Sequence, residues 1–188
     1  QLREPYPLPP PPHLPIWGLS PTTGIGATYL LHYGTEERKL AWLPRLASGE
    51  LVSAIAMTEP GTGSDLQNIR TTAIADNEGY VINGSKVFIT NGQQAGLIIV
   101  VAKTNPTEKA TGVSLLVVET GNVEGLRRGR NLETIGMHGQ DPSELFFENV
   151  RVPQTARPDK CDGAGARQVT AQVPPEPVLR PRRLLAPA

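Results

Sequence analysis

Cysteine is almost missing from this chain. Cys161 is the only one among 188 residues, so no intramolecular disulfide can form and a thiolate metal cluster lacks ligands. That fits a reducing compartment, and no metal site is expected. Aromatic residues make up 5%, few for a surface that would stack single-stranded nucleic acid. Excess charge of one sign is lacking too: 18 basic residues balance 18 acidic ones. No global field therefore draws the chain to nucleic acid or to an anionic membrane. No apolar run approaches the about 20 residues of a membrane-spanning helix. Two nucleotide signatures are also absent. No glycine-rich loop ends in Lys-Ser or Lys-Thr, and Gly24-Ile25-Gly26 fails the dinucleotide fingerprint because residue 29 is Tyr and no strand precedes it. The chain opens on Gln1 rather than Met and shows no signal peptide, so a missing N-terminus is allowed for.

What is abundant is proline, unevenly placed. Of the 19, eight lie in residues 1–21 and seven in 153–188. Proline donates no backbone hydrogen bond, so residues 1–21 are expected to be polyproline II or unstructured rather than an SH3-type ligand. The tail after Pro153 has six Lys or Arg against three acids and no sustained period. It offers few large apolar groups to offset an ordering cost of about 1–2 kcal/mol per residue, and is expected to be unstructured.

Between these ends the pattern is regular. A short helix is expected over 24–33, ended by Gly34. Thr35 is a good N-cap, with Glu36 and Glu37 in the first turn where the helix dipole favours anions. Leu40, Leu43 and Leu46 fall on one face, Pro44 is expected to end or kink this second helix, and Ser48-Gly49 closes it. Beyond Gly49 the period changes. Apolar runs over 51–57, 97–102 and 113–118 read as buried strands, with shorter strands over 70–76, 80–82, 85–90, 144–147 and 150–152. Asn77-Glu78-Gly79 and Asn91-Gly92 read as turns, and Asn83-Gly84 as a type I′ hairpin. The expected fold is mainly β with a short α N-terminal part, the middle forming an antiparallel β-barrel or sandwich.

Chemistry concentrates at Met57-Thr58-Glu59-Pro60-Gly61-Thr62-Gly63-Ser64-Asp65, directly after a buried strand. Gly61 and Gly63 permit backbone close to a flat ligand, and Thr58, Thr62 and Ser64 offer hydroxyls. A tight strand-to-loop turn closed by Asp65 explains the same residues without a ligand, so both readings stand. Taken with Asn83-Gly84-Ser85-Lys86-Val87-Phe88-Ile89-Thr90-Asn91-Gly92 and Leu145-Phe146-Phe147-Glu148-Asn149-Val150-Arg151-Val152-Pro153, this stretch resembles the acyl-CoA dehydrogenase family, in wording nearest its long-chain branch. Residues 33–49 resemble the helical lead-in. The three pieces stand in the family's order and spacing and cover about two-thirds of the chain.

The resemblance implies FAD lying against the β-domain. Ile55, Ala56, Met57, Thr58, Gly63, Ser64, Phe88, Ile89 and Thr90 would then contact the cofactor, although Phe88 also suits a core ring on a strand. Ser64 would touch the CoA arm, with Ala110 and Thr111 near another substrate contact. Fixed N–H groups and the hydroxyls of Thr58 and Thr90 are the kinds of donor that stabilise charge on the ring. The implied reaction is α,β-dehydrogenation of a fatty acyl-CoA, with hydride leaving to flavin N5. The implied partners are electron-transfer flavoprotein and further copies of the chain. The implied location is the mitochondrial matrix if the source is eukaryotic and the cytoplasm if it is bacterial.

The family's catalytic base is a glutamate in a C-terminal helical domain, and nothing after Pro153 resembles that domain. Glu59, Glu133 and Glu144 do not match it and read as ordinary surface or loop acids. Pro142 and His138 depart from the family's usual residues in the loop 136–143. The expected organisation is an unstructured 1–21, a remnant of an N-terminal helical domain at 22–49, a flavin-binding β-barrel at 50–153 and an unstructured tail at 154–188. The switch of composition after Pro153 reads as a frameshift, an aberrant transcript or a fragment. Three functions follow: a partial acyl-CoA dehydrogenase, inactive on its own; a non-catalytic β-domain that at most binds flavin weakly; or an acyl-CoA oxidase, which returns electrons to oxygen.

Overall fold

A computed structural model of the chain describes residues 21–108, 110–135 and 140–156. The expected unstructured ends lie outside these residues, apart from Pro21 and a 3₁₀ turn at Gln154–Ala156. His138 lies outside them as well.

The chain enters through a π-helical turn, Pro21–Ala27, and two helices, α1 (Thr28–Tyr33) and α2 (Glu36–Ala47). Gly34 ends α1 with its N–H on the Leu30 carbonyl at 2.8 Å. Thr35 caps α2 as its sequence position predicts, its side chain accepting from the Arg38 N–H at 3.4 Å. Pro44 neither ends nor visibly interrupts α2, which runs three residues further to Ala47. The carbonyl that Pro44 leaves unbonded belongs to Leu40, which is 76% exposed and so open to water. The expected apolar face is correspondingly short. Leu46 is buried and Leu43 packs beside it, but Leu40 points out.

Seven strands follow: β1 (Ser53–Ala56), β2 (Thr72–Ala75), β3 (Gly79–Ile89), β4 (Leu97–Lys103), β5 (Val113–Glu119), β6 (Leu126–Asn131) and β7 (Ser143–Pro153). They make one curled sheet, a half-barrel, in the order β1-β4-β2-β3-β7-β6, with β5 on the other side of β4. Most neighbours are antiparallel, as expected. The exceptions are β1 and β2, which both run parallel to β4, in registers Ser53↔Leu97 to Ala56↔Val100 and Thr72↔Lys103. The sheet curls enough to bury both faces of β4 and β5. Leu97, Ile99, Val101, Val113, Leu115 and Val117 pack with Tyr29, Leu30 and Leu46 of the helices. The alternating residues Ile98, Val100, Ala102, Leu116 and Val118 pack inside the curl against Ile82, Leu145, Phe147 and Val150. Two-sided burial is why these strands read as unbroken apolar runs.

The turn over Asp76–Gly79 forms as expected, with the Asp76 carboxylate accepting from the N–H groups of Glu78 and Gly79 at 3.0 and 2.9 Å. Asn83-Gly84, by contrast, is not a hairpin but the middle of the long strand β3. Glycine is required there by proximity: a Cβ on Gly84 would lie 2.7 Å from Thr71 Cα, and its φ is +152°. Asn83 meanwhile bridges to β7, its Oδ1 accepting from the Asn149 N–H at 2.9 Å. The register shifts at this point, Ile82 facing Val150 and Gly84 facing Phe147, so β7 carries one extra residue. The same dipeptide that makes a tight turn also suits a bulge with a close backbone crossing. β6 was not legible beforehand because Leu126-Arg127-Arg128-Gly129-Arg130-Asn131 has no apolar alternation. It is an edge strand, where charged side chains are favoured. Its Arg128 turns back to donate to the carbonyls of Gly92 and Ala95 at 3.0 and 2.8 Å.

The contrast between two glycines is measurable. Gly84→Ala should lower stability by about 2 kcal/mol or more, since backbone must move to admit the methyl. Gly61→Ala, where nothing lies within 4 Å of the new Cβ, should change it by less than about 0.5 kcal/mol in the same urea titration.

Candidate flavin-binding face

After Ala56 the chain leaves the sheet, and a carboxylate anchors its departure. Glu59 is 6% exposed. Its Oε1 accepts from Lys86 Nζ at 2.9 Å and from the Thr71 N–H at 3.0 Å, and its Oε2 accepts from the Arg70 N–H at 2.6 Å. Lys86 Nζ also donates to the Met57 carbonyl at 3.0 Å. The Lys86 side chain is 0% exposed. Main-chain bonds complete the loop: Glu59 and Thr62 exchange N–H···O bonds at 2.9 and 3.1 Å, and the Val87 N–H donates to the Thr58 carbonyl at 2.9 Å. The Thr62 hydroxyl donates to the Asn68 carbonyl at 3.2 Å. One buried ion pair thus ties together the end of β1, the loop 57–71 and the middle of β3. Glu59 is therefore not the ordinary surface or loop acid that its neighbours suggest; its charge organises the loop.

Burial pushes the Lys86 ammonium below its usual range, against the pull of Glu59. Burial alone would raise Glu59, but the hydrogen bonds from Thr71 and Arg70 and the charge of Lys86 outweigh it and hold the carboxyl below its usual range. Glu59 therefore contributes stability that is present above the ordinary glutamate range and lost as the pH falls through its lowered value.

The end of β3 is held separately. Asn91, 1% exposed with φ +65°, donates its Nδ2 to the Ser53 carbonyl at 3.1 Å. Its N–H and that of Gln93 donate to Asp141 at 2.8 and 3.3 Å. Just before it, the β3–β7 register shifts between Lys86↔Leu145 and Ile89↔Ser143, so β3 carries one extra residue. Tyr80, Ile82 and Lys86 are buried at even positions, and unbroken alternation would bury Phe88 too. The bulge reverses the parity: Ile89 is buried, and Phe88 is turned out, 60% exposed at φ +59°. Phe88 is therefore not a core ring. A bulky residue held in the left-handed region with its ring in water is the kind of strained position found at functional sites.

The two motifs, 29 residues apart between Met57 and Lys86, lie side by side, Lys86 on the Met57 carbonyl and the Val87 N–H on the Thr58 carbonyl. Met57, Thr58 and Thr90 are half-buried there, and Gly63 and Ser64 are exposed on the loop. Ala56 and Ile89 are present but sit in the core, leaving only their backbone for a ligand, and Ile55 packs toward the helices. Ala110 and Thr111 lie in a 3₁₀ turn, Ala110–Gly112, between β4 and β5. The Lys103↔Val113 pairing puts that turn at the end toward which β1 runs. Gly61 and Gly63 have open space where a Cβ would go, and neither has positive φ. Neither packing nor backbone conformation in the chain requires glycine at these positions, whereas close approach of an outside group would. Among the described residues the hydroxyls of Thr58, Ser64 and Thr90 and the Thr58 N–H have no hydrogen-bond partner. Spare donors, bare glycines and an exposed ring fit a flat, acceptor-rich heterocycle such as a flavin. No group of three or more His, Cys, Asp or Glu among these residues is placed to hold a metal ion, and no helix is long and apolar enough to cross a membrane.

The family pattern for the acyl-CoA dehydrogenase middle domain matches residues 54–150, and that for the N-terminal domain matches 14–50. The chain belongs to the acyl-CoA dehydrogenase family, whose members are FAD-dependent oxidoreductases. It is 48% identical over 141 residues to the long-chain specific acyl-CoA dehydrogenase of Sus scrofa mitochondria, covering 74% of this chain and 33% of that protein. It is 43% identical over 136 residues to an acyl-CoA dehydrogenase of Bacillus subtilis, covering 72% and 36%. The crystal structure of the acyl-CoA dehydrogenase from Geobacillus kaustophilus superposes with a TM-score of 0.78 at 48% identity, covering 82% of this chain and 41% of that one. The chain thus spans about a third of the length of the curated relatives it matches. Those relatives include mitochondrial and bacterial proteins.

Lys86 and Asn91 escaped the sequence reading. The available signal for Lys86 was its even position on the strand that also carries Tyr80 and Ile82, which marks an inward-facing lysine in need of a counter-charge. Replacing Glu59 by Gln should cost about 3–5 kcal/mol, because it strands a buried ammonium. The pH window of the stability change should also move, although stability rises with pH in both proteins. Wild-type chain should lose stability as the pH falls below the ordinary glutamate range, about pH 5, toward the lowered value of Glu59. Glu59→Gln should instead go on gaining stability as the pH rises toward the ordinary lysine range, about pH 10, because the stranded Lys86 sheds its proton more readily in the folded chain. Thermal melts of both proteins across that range check this.

Proposed function

We propose that the end of β1, the loop after it and the end of β3 hold the ring of FAD, in a protein that carries out α,β-dehydrogenation of a fatty acyl-CoA thioester. The observation behind this reading is the meeting of Met57-Thr58 with Phe88–Thr90 around unpartnered donors and an exposed aromatic ring. In this reading residues 22–49 belong to the helical lead-in and 50–153 to the flavin-binding unit. FAD supplies the hydride acceptor. The chain's own residues bind and orient. Gly61 and Gly63 admit backbone close to the ring; Thr58 and Thr90 donate hydrogen bonds to its acceptor atoms; Phe88 covers it. Ser64 and the turn at Ala110 and Thr111 face the CoA arm. The base that takes the α-proton is assigned to the helical domain that the family carries beyond its middle domain. Electron-transfer flavoprotein is the acceptor, the assembly is a homo-oligomer, and the location is the matrix or the cytoplasm according to source.

A second reading, flavin binding without turnover by this polypeptide, is favoured by one observation. Glu59, the carboxylate of the loop, has both oxygens committed to Lys86, Arg70 and Thr71. A carboxylate so engaged and held below its usual range is a poor proton acceptor.

Both readings meet in one experiment on the purified chain. Titration of FAD fluorescence should show binding, and Gly63→Val should weaken it at least about tenfold, or 1.4 kcal/mol, without lowering the melting temperature. Medium- or long-chain acyl-CoA added anaerobically should not bleach the bound flavin. Absence of FAD binding, or equal binding by Gly63→Val, contradicts the site. Bleaching within seconds contradicts the assignment of the base and favours the complete enzyme.

A further inference from the structure

We propose that Lys86 is a positioning residue for the flavin: it draws the Met57 carbonyl inward and so holds the Thr58 N–H, on the opposite side of the same peptide, outward as a donor to the ring. This inference rests on the flavin reading above and adds a role for a residue inside the fold.

A fully buried lysine is a costly way to fill space, and an apolar side chain of similar volume is often neutral or stabilising in its place. What Lys86 does that Met or Leu could not is grip a main-chain oxygen. Its Nζ divides between Glu59 Oε1 at 2.9 Å and the Met57 carbonyl at 3.0 Å. In a trans peptide the C=O and N–H point in opposite directions. With the Met57 oxygen bound to an ammonium inside the curl, the Thr58 N–H must face away from it, and it makes no hydrogen bond within the described residues. The next peptide is fixed too, since the Thr58 carbonyl accepts from the Val87 N–H at 2.9 Å. Rotation of the 57–58 peptide would take the carbonyl off a buried cation, so the donor is held before any ligand arrives. A donor fixed in this way costs no reorganisation when charge builds on the ring. It also favours the electron-rich reduced ring over the oxidised one.

The test compares the full chain with the double variant Lys86→Met/Glu59→Gln, which removes both charges and leaves neither stranded. Dissociation constants are measured for oxidised FAD and for FAD reduced with dithionite. The expected losses are about threefold for the oxidised form and about thirtyfold for the reduced form. That tenfold difference is a fall of about 30 mV in the two-electron midpoint potential. Equal losses for the two forms, or none, overturn the positioning role while leaving the flavin site intact. Failure of the wild-type chain to bind oxidised FAD overturns the flavin reading itself. Should the double variant not fold, the Thr58 amide resonance of the wild-type chain decides: the proposal requires FAD to move it downfield, and an unmoved resonance overturns it.

Discussion

The Glu59–Lys86 ion pair is the interaction on which the rest of this site depends. Most of the half-barrel is held by alternating aliphatic residues, and any of several apolar arrangements would fill it. The pair is different because it acts on backbone. Through Lys86 it reaches the Met57 carbonyl, and through Glu59 it reaches the N–H groups of Arg70 and Thr71. A loop that leaves the sheet at Ala56 and rejoins it at Thr72 is therefore pinned at both ends from one buried point. A carboxylate accepting from two main-chain N–H groups and an ammonium is well satisfied, so its burial is tolerable. Removing either partner would make that burial untenable.

Around this point the fold spends irregularity where the face needs it. Two bulges break the β3–β7 ladder, one at Gly84 and one between Lys86 and Ile89. The first puts one extra residue into β7; the second reverses the side-chain parity of β3 and turns Phe88 out. Between them Lys86 keeps its inward position. A strand without the second bulge would bury the aromatic ring and expose Ile89, leaving a smooth sheet end with nothing to cover a ligand. Bulges commonly re-aim side chains beside active sites.

Much of the architecture was legible in the residues. The apolar runs over 97–102 and 113–118 announced buried strands, found as Leu97–Lys103 and Val113–Glu119, and Thr35 announced the start of α2. The motif at 57–65 and its meeting with Phe88 were legible only through the resemblance, because pairing across 29 residues is a tertiary fact. What failed were rules with two physical outcomes. Asn-Gly suits a type I′ turn and also a close crossing in mid-strand. Pro44 loses one helical bond, and the loss is small where the orphaned carbonyl meets water. The parallel pairing of β1 with β4 has no local signature, since buried strands of either sense read alike. Glu59 was misread for a related reason: nothing local distinguishes a loop carboxylate in water from one aimed at a lysine 27 residues ahead.

The family's members are FAD-dependent, and the proposed function puts the ring against residues 57–64 and 88–90. The most direct measurement is amide hydrogen exchange of the whole chain with and without saturating FAD. If the face is as described, exchange should slow together at residues 57–64 and 88–91, with β6 and the Asp76–Gly79 turn unchanged. Protection confined to one of the two segments, or none at either, would contradict it.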